Sequence, residues 1–262
     1  MKRRWIWLWI PLLLAILLLE APLQVHLLRS RTEEGTSEAG DYRTIEPGEF
    51  IGTVLLGGFR AVAIDILWVR SISHLERGEY FEAVALFHLI AKLQPYLDQV
   101  WIFNGWVLAY DIPPREASVE RRWHWIKKGA ELILEGRRKN PGSWKIPYYL
   151  GFIYYHRCGL DPYLARMLEK DRELNPEGLD RIRLALRWFE RANALPDHPC
   201  FVDWRILHCR ILLLEEALRA KKQEEAERHK AKAWECVRHV EAAHPDGLKT
   251  LALWKQKLKE YD

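Results

Sequence analysis

The densest cluster of chemistry-bearing side chains is "HPCFVDWRILHC", which places His198, Cys200, His208 and Cys209 within twelve residues. All four are zinc-ligating types, and a zinc ion with an open position would support a metal-dependent hydrolase. The spacing argues against that reading. On a helix Cys200 and His208 stand eight residues apart and His198 precedes Pro199, so one tetrahedral centre would need distortion. The plainer reading is small buried cysteines and surface histidines on a single helix. None of the ten histidines falls in an H-E-x-x-H pattern, and the chain has no G-x-S-x-G, P-loop or G-x-G-x-x-G sequence. Acidic residues are interleaved with Lys and Arg at helical spacing, as in "LEKDRELNPEGLDRIR" and "KKQEEAERHKAK", the pattern of solvated ion-pair faces. With no visible carrier of catalysis and no cofactor signature, the expectation is a binding protein rather than an enzyme.

The composition narrows the partners. Of 262 residues 49% are hydrophobic, with 13 Trp, 10 Tyr and 8 Phe, which is too apolar and aromatic for a disordered chain. The formal charge is +4, and Lys2, Arg3 and Arg4 supply most of it, so the rest is nearly balanced and offers no electrostatic footprint for nucleic acid. Cys158, Cys200, Cys209 and Cys236 lie far apart without a C-x-x-C pair and say little about compartment.

The amino end "MKRRWIWLWIPLLLAILLLEAPLQVHLL" has a basic start followed by an apolar run. At about 1.5 Å per residue, continuing to Leu28 gives enough length for a bilayer core of about 30 Å. A cleaved signal peptide is the competing reading, but no good A-x-A site is present and Pro22 follows Ala21 directly. Residues 1–28 are therefore expected to be an uncleaved anchor in the cytoplasmic membrane, with the positive cluster inside and the remainder outside the cytoplasm. Residues 29–50, polar and carrying Gly35, Gly40, Pro47 and Gly48, are expected to form a flexible tether. Next comes "FIGTVLLGGFRAVAIDILWVR", apolar over a span's length except for Thr53, Arg60 and Asp65. Inserting Arg60 and Asp65 near a bilayer centre would cost roughly 2.5 to 3.5 kcal/mol each. A pair five residues apart does not neutralise itself along a helix. The expectation is a buried helix over residues 61–76 with "TVLLGG" packed under it as an N-terminal cap. A re-entrant hairpin, which would put the rest in the cytoplasm, is the alternative.

Downstream the sequence is organised in units. In "RGEYFEAVALFHLIAKLQP" Gly78, Tyr80, Ala83, Phe87 and Pro95 fall at the spacing of the 34-residue tetratricopeptide repeat, whose pattern includes A-x3-F and a closing Pro. Trp101 and Gly105 match W-x2-L-G with Asn104 in place of Leu. Leu150, Gly151 and Tyr154 match L-G-x2-Y, Ala185 and Phe189 give a second A-x3-F before Pro196, and Ala233 lies twelve residues before Pro245. From residue 51 onward the chain thus resembles the tetratricopeptide (TPR) repeat family. "GGFRAVAIDILWVR" followed by "GEYFEA" also looks like a group of membrane-anchored bacterial repeat proteins of unassigned role, a likeness that brings no activity with it. The units exceed 34 residues, with extra sequence at "DIPPREASVE", "GLDPYLARMLEKDRELNPEGLD" and "ALRAKKQEEAER", which reads as inserted turns, an added helix near residues 162–174 and lengthened helices. "GLKTLALWKQKLKEYD" reads as a solvating terminal cap helix. The expected fold is all-α: a superhelix of about four degenerate repeats over residues 51–262, closed by that cap and preceded by one transmembrane helix.

In the resembling family the first helix of each repeat lines a concave groove through its second, fifth, ninth and twelfth positions. The resemblance assigns those positions to Asp65, Trp68, Ile72 and Leu75, then to Gln99, Ile102, Trp106 and Ala109, then to Lys145, Tyr148, Phe152 and Tyr155, with His156 beside them. Aromatic anchors in a concave surface suit capture of a peptide or helix. The alternative is that these aromatics are simply core, or that residues 54–59 fill the groove. The implied role is a membrane-anchored scaffold or assembly factor binding protein partners of an envelope complex. A rival is a glycan- or lipid-binding module stacking ligand on Trp68, Trp106, Tyr148 and Tyr155.

Overall fold

The computed structural model describes residues 47–243 and 248–261, with side chains from Arg60 to Ala242 and from Leu251 to Tyr261. The anchor proposed for residues 1–28 and residues 29–46 of the tether lie outside the described residues, as does Pro245. The described part is all-helical: α1 (Pro47–Glu76), α2 (Tyr80–Leu93), α3 (Asp98–Tyr110), α4 (Val119–Lys139), α5 (Lys145–Phe152), α6 (Pro162–Lys170), α7 (Arg181–Asn193), α8 (Phe201–Arg219), α9 (Gln223–Ala243) and α10 (Leu248–Lys259). Among the described residues there is no strand, and no helix is long and apolar enough to cross a membrane.

The described chain divides into two compact units, one ending at Arg70 and the other beginning at Ser71. The boundary falls within α1, inside the stretch expected to form the leading helix of the first repeat. That helix also begins earlier than expected. It is continuous over 30 residues, about 45 Å, so residues 53–58 continue the helix instead of folding beneath it as a cap. Nor is its far half a buried helix, since Val62, Ile66 and Val69 are each more than half exposed, at 53%, 55% and 70%. A helix apolar on nearly every side has more oily surface than one contact face can cover.

In the second unit helices pack as pairs, α3 with α4, α5 with α7 across the intervening α6, and α8 with α9, and α10 covers α9. The small residues picked out by spacing sit at the crossings. A side chain on Gly105 would meet Ile133 and the Gly129 carbonyl oxygen, so α3 and α4 touch backbone to backbone. Gly151 has Phe189 and the Ala185 carbonyl against it in the same way. Ala83, Phe87, Leu150, Tyr154, Ala185 and Phe189 are fully buried. Helix α6 occupies the expected insertion, docking Leu164 and Leu168 into the main core, and Leu251 and Leu258 of α10 complete a second core with α8 and α9.

Turns close this layout. Gly78, at φ +75°, ends α1 with hydrogen bonds from its own N–H to Leu75 O and from Glu79 N–H to His74 O, the paired arrangement that satisfies the last helical carbonyls. The indole N–H of Trp101 and the amide of Asn140 both donate to Pro95 O at 2.9 Å, and Ser143 Oγ donates to Asp98 at 2.6 Å, so the start of α3 is fastened to the turn after α4. Asn104, standing where the family pattern has Leu, is fully buried and donates to Phe87 O at 3.0 Å, bonding α3 to α2.

Candidate functional site: an aromatic wall across three helices

Residues spaced along α5 carry the site. Tyr148 and Phe152 are one helical turn apart, and the chain then takes a single π turn over Ile153–Arg157 in which Cys158 N–H bonds Ile153 O at 3.1 Å. Tyr155 and the adjacent His156 stand three and four residues past Phe152, the two offsets that share a helical face, and both contribute to the same surface. His156 stacks on Phe152 with centroids 5.3 Å apart and on Tyr110 at 5.9 Å, and its Nδ1 lies 3.2 Å from Tyr110 Oη. Tyr155 Oη lies 3.0 Å from His208 Nδ1.

Neighbouring helices extend the row on both sides. From α3, Trp106 stacks on Tyr110 at 4.0 Å and on Phe152 at 5.8 Å, with Tyr149 edge-on at 5.7 Å. From α8, Phe201 meets Tyr148 at 5.0 Å, and Arg205 holds its guanidinium 5.0 Å from the centroid of Phe152 and 5.6 Å from that of Tyr155. His208 packs on Trp254 of α10 at 5.3 Å. Trp106, Tyr148, Phe152 and Tyr155 are all half-buried, seated on the core but open on one side, and His156 is exposed.

The local chemistry favours neutral groups. Burial pushes the Tyr155 phenol above its usual range, with Cys209 adding to the shift, and pushes Tyr110 higher still. Burial, reinforced by Arg205 and Lys257, holds His208 below the usual imidazole value. The Tyr155–His208 pair is therefore neutral at pH 7, a hydrogen-bonding surface and not an activated nucleophile. Arg205 makes no ion pair among the described residues, so the wall carries one uncompensated charge, spread over two ring faces.

Placement of the sequence-selected residues is uneven. Trp106, Tyr148, Phe152, Tyr155 and His156 come together as one contiguous surface. Ile102 and Ala109 do not line it, because both are buried in the main core. Gln99 is exposed on the first turn of α3, and Lys145 is half-buried with Nζ 3.6 Å from Asp98. Asp65 and Trp68 belong to the other compact unit, where Asp65 is exposed and Trp68 half-buried. The spacing missed Tyr110, Arg205 and His208 as wall residues. The same positional rule carried into α8 from Phe201 would have found Phe201 and His208, though not Arg205.

The histidine and cysteine cluster separates. His208 faces Tyr155, Cys209 is buried on another side of α8, and among the described residues no group of three or more His, Cys, Asp or Glu could hold a metal ion. No family model, curated protein or solved structure matches the chain.

Proposed function

We propose that the protein is a TPR-like interaction scaffold, held at the membrane by residues 1–28 with its helical part outside the cytoplasm, that captures a protein partner on the wall of α3, α5 and α8. The observation that carries this reading is a run of half-buried aromatics aligned across α3, α5 and α8 around Phe152. Aromatic anchors of this kind, open on one side and backed by core, concentrate binding energy in protein interfaces. Tethering at the bilayer would raise the effective concentration of membrane-bound partners. Stacking of Tyr110 and Phe152 on Trp106 leaves less of that ring open to a sugar than an isolated platform would offer.

The test places a photo-crosslinking amino acid at Phe152 of the full-length protein in native membranes, with the exposed Lys232 of α9 as control site. Discrete adducts from position 152 and none from 232 support the reading. Equal adducts from both positions, or none, overturn it. A Trp106→Ala/Tyr148→Ala double variant should keep its melting transition and lose the adduct, whereas loss of folding would assign these rings to core.

A further inference from the structure

A second recess in the 71–262 unit lies away from the wall's residues, where the start of α2 faces the start of α4. It has a cavity volume of about 480 Å³, within the range of about 300–1,000 Å³ common for small-ligand clefts. Trp125 forms its floor, with Tyr80 edge-on at 5.7 Å and Phe81 tilted at 5.3 Å. The indole is fixed in orientation, since its N–H donates to Glu116 Oε1 at 3.0 Å. Phe81 is 73% exposed, so most of its ring is open to a ligand.

The sign of the field is set by carboxylates. Glu79, Glu82 and Glu116 line the recess with Arg121 and His124, and Glu79 is itself held by Arg77 at 3.0 Å and His74 at 2.6 Å, so the carboxylates that set the sign are Glu82 and Glu116. Glu116 has only 14% of its side chain exposed, yet its second oxygen has just Arg121 at 3.8 Å, from a side chain 73% exposed. Glu82 makes no ion pair among the described residues. The first turn of α2 presents the positive end of a helix here, but Glu79 and Glu82 stand on that same turn and offset it. An anion is therefore disfavoured, while aromatic rings beside a shielded carboxylate suit a poorly hydrated cation.

We infer that this recess binds an alkylammonium group, against the rings of Phe81 and Tyr80, which Trp125 backs, and the charge of Glu116. The group can come from a free quaternary amine or from the lysine side chain of a polypeptide. This does not rest on the role of the aromatic wall.

The experiment is calorimetric titration of the full-length protein, purified in a maltoside detergent because choline-headed detergents would compete. The probes are choline, its uncharged isostere 3,3-dimethylbutan-1-ol, and acetyl-lysine-methylamide. Choline is expected to saturate one site and to bind at least tenfold more tightly than the isostere. Glu116→Gln, which keeps shape and removes charge, and Phe81→Ala, at an exposed position, should each weaken choline at least fivefold. Tighter binding of the lysine derivative than of choline would assign the site to polypeptide, and the reverse order to free amines. Equal binding of choline and isostere, unchanged affinity in both variants, or no saturable binding by either cation overturns the inference.

Discussion

Replacing Gly105 by alanine tests the crossing on which the aromatic wall is mounted. A Cβ at Gly105 would lie 2.4 Å from Ile133 Cγ1, 2.8 Å from Ile133 Cδ1 and 2.6 Å from Gly129 O, and one at Gly129 would lie 2.4 Å from Gly105 O. Side chains can swing away, but a backbone oxygen cannot, so α3 and α4 must separate. Overpacking of this kind costs about 1–3 kcal/mol, here at the upper end. The better helix propensity of alanine returns about 1 kcal/mol. The net expectation is a loss of about 1–2 kcal/mol, and at about 2–4 °C per kcal/mol for a chain this size the midpoint should fall by about 2–8 °C. Circular dichroism at 222 nm on the detergent-solubilised full chain reads it. The glycines share one contact, so Gly105→Ala/Gly129→Ala should lose less than the sum of the single variants, because the first methyl has already opened the crossing. A higher melting point for Gly105→Ala, or a strictly additive cycle, would refute the backbone contact.

Three further outcomes follow from the same structure. Lys221 holds a left-handed φ of 57° at the end of α8, where Lys222 N–H bonds Ala217 O, so Lys221→Gly should raise stability by about 1 kcal/mol, seen as a melting shift of a few degrees, and a lower midpoint would contradict the assigned turn. His208 is depressed by burial, Arg205 and Lys257, and His229 by burial and Arg210; both bind fewer protons folded than unfolded. Stability should therefore fall as pH drops from the unfolded histidine value near 6.5 toward the lower folded ones, and His229→Gln should flatten part of that slope, whereas a flat profile between pH 7 and 5.5 would remove the buried neutral histidines from the account. Burial pushes the thiols of Cys158 and Cys209 up to about 12, so iodoacetamide at pH 8 should modify them only after denaturation, as read by mass spectrometry; labelling at native rates equal to the unfolded chain would show them accessible.

Which features the sequence disclosed follows from how far each depends on its neighbours along the chain. Ala83 with Phe87 and Ala185 with Phe189 were legible because close helix crossing demands a small residue and a large filler at fixed offsets, and all four are fully buried. Gly129 and Gly136 were passed over, although Gly136 has Trp101 within 2.4 Å of where its Cβ would lie. They sit on α4, the second helix of its pair, where Gly129 stands twelve residues before Pro141, the offset of Ala83 from Pro95, but with glycine in the place of alanine and no Phe four residues on. Ile102 failed as a surface position because a four-position rule treats a helix as having one inner face, while α3 is packed nearly all round. The π turn at Ile153–Arg157 has no local signature, since one i to i−5 bond replaces an i to i−4 bond in a run of equally good helix formers. Tyr155 and His156 lie three and four residues past Phe152, the two offsets that share one face of a helix; His156 reaches Phe152 and Tyr110 while Tyr155 reaches His208 and the guanidinium of Arg205. The wall is thus continuous from α3 to α8 because these two offsets let one helical face meet neighbours on both sides; its composition and its order along the chain are plain from residue types and spacing, whereas Tyr110 and Arg205, which complete it, are brought in by packing between helices.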